Sequence, residues 1–193
     1  MKLLKTLAVI AATAVAIPAA NAAVLDLQTD AVTVNVGENF EVRLIVDREM
    51  ADLIGGLDAR LDFTTDTLAF VSGDVTNLGD TTGTEIVGLL NPGTVEAFAL
   101  TNSDETTLSA EQDNMFSILS LTFQAIGAGR GEVELDEAFA TLFGTDLFSI
   151  IQTRIADGDV NVLIDVQPVP LPGAALFLLT GLGGMVAARR RAS

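Results

Sequence analysis

Phe40, Val42, Leu44 and Val46 alternate with Glu41, Arg43 and Ile45. A period of two over such a run is the signature of a half-buried β-strand, and it leaves little room for helix. The pattern recurs. Leu57, Ala59, Leu61 and Phe63 alternate with Asp58, Arg60 and Asp62, opened by Gly55-Gly56, and Val133 and Leu135 alternate with Glu132, Glu134 and Asp136. Further strands are predicted at 24–27, 32–36, 68–71, 85–90, 94–100 and 118–125, with Val160, Val162 and Ile164 closing the series. Gly37-Glu38 and Asn91-Pro92-Gly93 supply turns, the latter by residues suited to φ > 0 and to a fixed φ. Residues 72–84, rich in Gly, Asp, Asn and Thr, read as a loop, and 101–114 as polar and exposed. Residues 138–151 suit either a strand or a helical turn. Many short strands separated by turns predict an all-β sandwich or jelly roll.

The ends of the chain are built differently. At the N-terminus Lys2 and Lys5 precede an apolar stretch at 7–17, then Pro18 and Ala20-Asn21-Ala22. That order describes a secretory signal peptide over 1–22, cleaved after Ala22 to leave Ala23 first. At the C-terminus Val169-Pro170-Leu171-Pro172-Gly173 leads into an apolar run at 174–188, followed by Arg189, Arg190 and Arg191. The sixteen uncharged residues from Gly173 to Ala188 would form a helix of about 24 Å at ~1.5 Å per residue. That is just short of a hydrocarbon core of ~30 Å. A core helix should carry a polar stripe, and this run offers only Thr180. Gly181, Gly183 and Gly184 would weaken it in water but suit close packing in a membrane. The run reads as a short transmembrane anchor, with its arginines cytoplasmic. Both ends place the middle of the chain across the membrane.

Three pieces at this C-terminus, the Val169-to-Gly173 motif, the apolar span and the arginine cluster, resemble the VPLPA-type PEP-CTERM sorting signal. The family's fifth motif residue is alanine, and Gly173 replaces one small residue by another. The resemblance implies recognition by a membrane-embedded exosortase, removal of the tail, and delivery to the cell surface or extracellular matrix. The chain is therefore expected to be exported, held in the membrane by its C-terminal helix until processing, and to meet signal peptidase and exosortase on the way.

What lies between is a single domain at 23–165, with 166–193 as linker plus sorting signal. All 26 acidic residues fall in the section 23–167 with only five arginines, a net charge of −21, and it holds no lysine. Such a field repels nucleic acid, whose binding depends on Lys and Arg. Solubility outside the cell accounts for the charge, and cation binding or attraction to a basic partner are the sharper readings. Cysteine is absent, so a core rather than a disulfide must hold the fold.

Val36-Gly37-Glu38-Asn39-Phe40 ahead of an alternating strand, 57–63 followed by Leu68-Ala69-Phe70, and Leu119-Ser120-Leu121-Thr122-Phe123 before a glycine-rich turn are similar, in that order, to a cohesin-like domain. The resemblance implies a jelly-roll sandwich of about nine strands that binds a dockerin module or a polysaccharide. No contact residue of that family has a local motif here.

The chemistry open to the domain is narrow. Without His, Cys, Lys, Tyr or Trp there is no Ser-His-Asp or Cys-His arrangement, no Schiff-base lysine and no thiolate or imidazole metal site. Carboxylates alone remain. Asp80-Thr81-Thr82-Gly83 has one residue too many for an Asp-Thr-Gly motif, and reads as loop. Oxygen-only calcium binding is the site chemistry the composition favours. Asp157, Asp159 and Asn161 have the D-x-D-x-N opening of a calcium loop, although Val162 and Pro168 stand where an EF-hand has Gly and Glu. Asp74 with Asp80, and Asp104 with Glu105, are further acidic loop candidates. Of nine phenylalanines in the domain most read as core, leaving Phe139, Phe143 and Phe148 open as sugar platforms. The expected function is non-enzymatic binding of a surface protein. Binding of extracellular polysaccharide is the alternative, and a glycan-active enzyme trails both.

Overall fold

The alternating runs do become strands, and they stack as two sheets. The computed structural model describes residues 22–48, 52–88, 92–146, 149–151, 153–155 and 160–169. The strands are β1 (Ala23–Thr29), β2 (Thr33–Asn35), β3 (Asn39–Asp47), β4 (Ile54–Phe63), β5 (Leu68–Val75), β6 (Thr81–Gly88) and β7 (Thr94–Thr101). Helix α1 (Glu105–Glu111) follows, then β8 (Met115–Ala125), β9 (Gly129–Leu135), a 3-10 turn (Glu137–Phe139), β10 (Thr141–Gly144), β11 (Ile150–Ile151), β12 (Thr153–Ile155) and β13 (Asn161–Gln167).

Sheet A runs β12-β1-β3-β8-β5. Sheet B runs β11-β10-β4-β9-β13-β2, with β7 on β4 and β6 on β7. Strand β4 organises sheet B. One of its edges carries β7 from Gly56 to Asp62. The other is shared, by β10 near Leu57 and by β9 near Leu61. Inward positions hold the expected apolar residues, among them Val42, Leu44, Leu57, Leu61, Leu119, Leu121, Val133 and Ile164. Phe123 sits centrally, stacked with Phe40 at 6.0 Å and edge-on to Phe63 at 5.2 Å and Phe70 at 5.9 Å. Phe63 belongs to sheet B and the other three to sheet A, so the ring cluster ties the layers together. A Cβ at Gly131 of β9 would lie 2.9 Å from the Leu68 side chain of β5, and glycine there lets the two sheets approach.

Several expectations are corrected. Thirteen strands are present among the described residues, not about nine, because short edge pieces such as β2, β11 and β12 take up backbone hydrogen bonds at the sheet margins. Residues 72–84 are no continuous loop, since β5 runs on to Val75 and β6 starts at Thr81 within the Asp80–Gly83 stretch. Polar side chains there face solvent from an edge strand, and cross-strand pairing with β7 supplies what composition does not reveal. Residues 101–114 are not simply exposed: they hold α1, and Thr101, Leu108 and Gln112 are buried. Strand β13 runs to Gln167, with Val166 buried. The open stretch 138–151 resolves into the end of the 3-10 turn, β10 and β11.

Strand β1 starts at Ala23, whose side chain is buried, and Ala22 precedes it. Val169, at the other end, is exposed. Ala20, Pro170, Leu171, Pro172, Gly173 and Arg189 to Arg191 lie outside the described residues, as does the expected transmembrane run. Among the described residues no helix is long and apolar enough to cross a membrane.

Candidate functional site

The outer face of sheet B is where unusual residues gather. On β7 the inward positions are Val95, Ala97 and Ala99, so Phe98 and Leu100 point outward. On β4 the outward set is Gly56, Asp58, Arg60 and Asp62. Register then builds rows across the sheet. Leu100 lies opposite Gly56, Gly56 opposite Phe143, and Phe143 opposite Ile150. Gly56 permits this apolar row: a Cβ there would stand 2.7 Å from Leu100 Cδ2 and 3.3 Å from Phe143 Cδ2. Ile150 ends the row, 68% exposed. The next row pairs Glu85, Phe98, Asp58 and Thr141.

In the third row Arg60 pairs with Glu96. Its Nε donates to Glu96 Oε1 at 2.9 Å, and a second guanidinium nitrogen reaches the same oxygen. That hydrogen bond holds the guanidinium above its ordinary pKa. The guanidinium carbon of Arg60 lies 3.8 Å from the centre of the Phe139 ring, a cation–π contact. Phe139 nevertheless stays 48% exposed.

Past Arg60 the face turns acidic. Asp62 lies opposite Glu134, and Glu134 opposite Asn161. Asp62, Glu134, Asp136 and Glu137 line an open concavity of about 570 Å³, and Glu132 adjoins Asp62 and Glu134. Asp62 accepts from Thr94 Oγ1 at 2.7 Å and Asp136 from the Ala138 amide at 3.0 Å.

The outer face of sheet A contrasts with this. Gln28, Arg43 and Ser120 lie side by side across it, and Ser120 hydroxyl donates to Glu41. Its exposed surface is of small and polar residues, with Met115 and Val71 at its margins.

Of the Asp157, Asp159 and Asn161 calcium candidate only Asn161 is described. It sits outward on β13 and its Nδ2 donates to Glu132 Oε1 at 3.0 Å; Asp157 and Asp159 lie outside the described residues. Asp80 and Asp104 share a polar hollow with Glu111, where Asp104 caps α1 and Glu111 accepts from the Gly79 amide. Asp104 thus serves a helix end, and Asp74 lies away on β5. Among the described residues no group of three or more carboxylates is placed to hold a metal ion. Phe143 and Phe139 fall on the apolar face, while Phe148 lies outside the described residues. Sequence reasoning counted most phenylalanines as core, and Phe98 is the correction. Its signal was present in the small inward partners Ala97 and Ala99. Leu100, Ile150 and Gly56 gave none, because only register brings them together.

Compared with solved structures, the sandwich matches a type II cohesin domain from the cellulosome of Acetivibrio cellulolyticus with a TM-score of 0.57. The match has 12% identity and covers 74% of this chain and 95% of that one. The chain has a cohesin-like fold. A cohesin module of a Clostridium perfringens family 33 glycoside hydrolase matches with TM-score 0.57 and 10% identity, over 75% and 97% of the two chains. The sixth cohesin of Acetivibrio cellulolyticus scaffoldin B, solved in complex with a Cel5 dockerin mutant, matches at 0.54 and 18%, over 74% and 99%. No protein-family model matches the sequence, and no curated protein matches it. A cohesin-like fold is what these likenesses establish.

Proposed function

We propose that this chain is a non-enzymatic, exported module that binds a partner protein on the outer face of sheet B. One observation carries the reading: the outward row of half-buried Leu100 and Phe143 ending in exposed Ile150, with half-buried Phe98 and exposed Phe139 beside it, on an otherwise polar and strongly acidic surface. Contiguous apolar surface flanked by polar residues is what protein interfaces present. Aromatic and arginine side chains such as Phe139 and Arg60 are typical anchors. A solved neighbour of the same fold was captured with a dockerin, which supports a protein as the occupant.

Export belongs to the same proposal. The signal peptide, cleaved before Ala23, and the tail from Val169 to Arg191 would take the domain across the membrane and hand it to an exosortase for the surface or matrix. A structural calcium at Asp157, Asp159 and Asn161 is proposed with it. A melting temperature unchanged between millimolar calcium and chelator sinks that part.

The binding test is a surface cross-linking experiment on cells carrying the chain or its Ile150→Asp variant. The expected result is a cross-linked protein lost in Ile150→Asp and retained in Asp74→Lys on sheet A. Equal capture by both variants overturns the choice of face. Retardation of the domain in gels of the host's own extracellular polysaccharide, undiminished by Ile150→Asp, would replace a protein occupant by a glycan.

A further inference from the structure

Strand β1 opens on a residue with no room around it. Ala23 is fully buried and belongs to the core shared by both sheets. It lies opposite Thr153 of β12, and Val24 lies between Asp47 of β3 and Arg154 of β12. Leu25, two residues on, is also fully buried. Sheet A runs β12-β1-β3, so β1 has a neighbour on each side. Ala22, after which the signal peptide is expected to be cut, directly precedes it. The other terminus differs. Strand β13 ends at Gln167, whose carbonyl accepts from the Val36 amide at 3.0 Å. Six residues, Pro168 to Gly173, then separate it from the apolar run at 174–188, and Val169 is 57% exposed.

We propose that the two processing cuts fall on opposite sides of folding: the signal peptide is removed only before β1 is enclosed, whereas the tail can be removed from the finished sandwich. This rests on the reading of the two ends as signal peptide and sorting signal, and adds the order in which they are lost. Hydrolysis of the Ala22–Ala23 bond adds a water across it, leaving a carboxylate on Ala22 and an ammonium on Ala23. The enzyme has to reach the Ala22 carbonyl carbon and hold the residues on either side of it. An extended segment is gripped through a free backbone edge, and at Val24 both edges of β1 are taken. Cutting the folded chain would require Ala23 to leave the core and β1 to peel from β3 and β12. The order of synthesis leaves time for the cut. Strand β3 follows β1 closely, but Thr153 comes 130 positions after Ala23. At ~5–20 residues per second that delay is on the order of ten seconds. One edge of β1 stays open until β12 arrives. A chain that closes with its signal peptide attached buries the bond that would release it.

The test uses the full precursor, unfolded in denaturant and diluted into solubilised host membranes that supply both enzymes. In one arm it meets them at the moment of dilution, in the other after β3 and β8 have become protected from amide exchange. Products are identified by mass. The freshly diluted chain should be cut after Ala22 at least about tenfold faster than the folded one, which is open to the enzyme only in the fraction with β1 released. A flexible spacer of about ten Gly and Ser residues between Ala22 and Ala23, roughly 17 Å of chain, should remove that difference and leave the fold intact. Tail removal should proceed alike in both arms. Equal cleavage after Ala22 in both arms, or a folded spacer variant that stays resistant, overturns the proposal. Tail removal from the fresh chain alone overturns its second half. A fresh chain left uncut between Ala22 and Ala23, or one that keeps its tail, overturns the reading of that end as a processing signal.

Discussion

Gln112 shows how much one side chain can hold. It is 2% exposed, its Oε1 accepts from the Ile54 amide at 2.9 Å, and its Nε2 donates to Ile54 O at 2.8 Å and Asn77 O at 2.9 Å. Its own amide donates to Leu108 O at 2.8 Å, closing α1. The end of the helix, the start of β4 and the turn after β5 therefore meet on one amide. Gln112→Ala leaves buried backbone groups unpaired and should cost about 3 kcal/mol in urea unfolding. A loss under about 1 kcal/mol would mean that water replaces the amide. Phe123, fully buried against three rings, is the comparable apolar case, with Phe123→Ala expected to cost about 4 kcal/mol. On the outer face Gly56 is the residue to change: Gly56→Val would push Leu100 and Phe143 apart and disrupt the apolar row. Its expected signature is weaker capture of the cross-linked protein.

At the scale of elements, short pieces depend on local hydrogen bonds. Helix α1 has only seven residues, and Asp104 Oδ1 accepts from the Thr107 amide at 2.8 Å. This bond to the Thr107 amide holds the Asp104 carboxyl below its usual pKa. Glu38 is lowered in the same way by the amide and side chain of Asn35, across the turn from β2 to β3. A carboxyl whose folded pKa is depressed contributes its stability in full above the unfolded value and loses it as pH falls through the folded one. Amide exchange at α1 and at residues 35–38 should therefore speed up on acidification below the ordinary carboxylate range, relative to the ladder between β3 and β8. Asp104→Asn should abolish the pH dependence at α1 while keeping a cap. Unchanged dependence in that variant would place the titrating group elsewhere.

Charge acts on the molecule as a whole. Twenty-six carboxylates against five arginines in 23–167 repel one another in the compact state, and added salt screens them over about 10 Å at 0.1 M. The melting temperature should rise with sodium chloride through the first few hundred millimolar, the reverse of a fold held by surface ion pairs. A fall would indicate ion pairs that dominate the repulsion. At the same scale, replacing Arg189, Arg190 and Arg191 by alanine should leave the sandwich folded and block its transfer to the surface, followed by cell fractionation. Undisturbed delivery would count against the proposed sorting signal.

Alternation pointed to an all-β domain, because a period of two leaves no helical face, and it placed β3, β4 and β9 with their buried sides correct except at Ile45, which a register shift beside Leu44 also buries. Composition determined what the domain lacks for nucleophilic or thiolate chemistry. Tertiary structure decided the rest through pairing. The polar stretch at 81–84 became a strand because β7 offers it an edge, and 105–111 became a helix because Asp104 caps it and Leu108 finds the core. Phe98 could have been placed from its alanine neighbours. Leu100, Gly56, Phe143 and Ile150 could not, since they lie on β7, β4, β10 and β11, neighbours in the sheet of which only β10 and β11 are consecutive in sequence. A strand's sequence says which side chains share a face, but which strands lie beside it is a property of long-range hydrogen bonding. That is why the apolar row and its acidic counterpart exist only in the folded sheet.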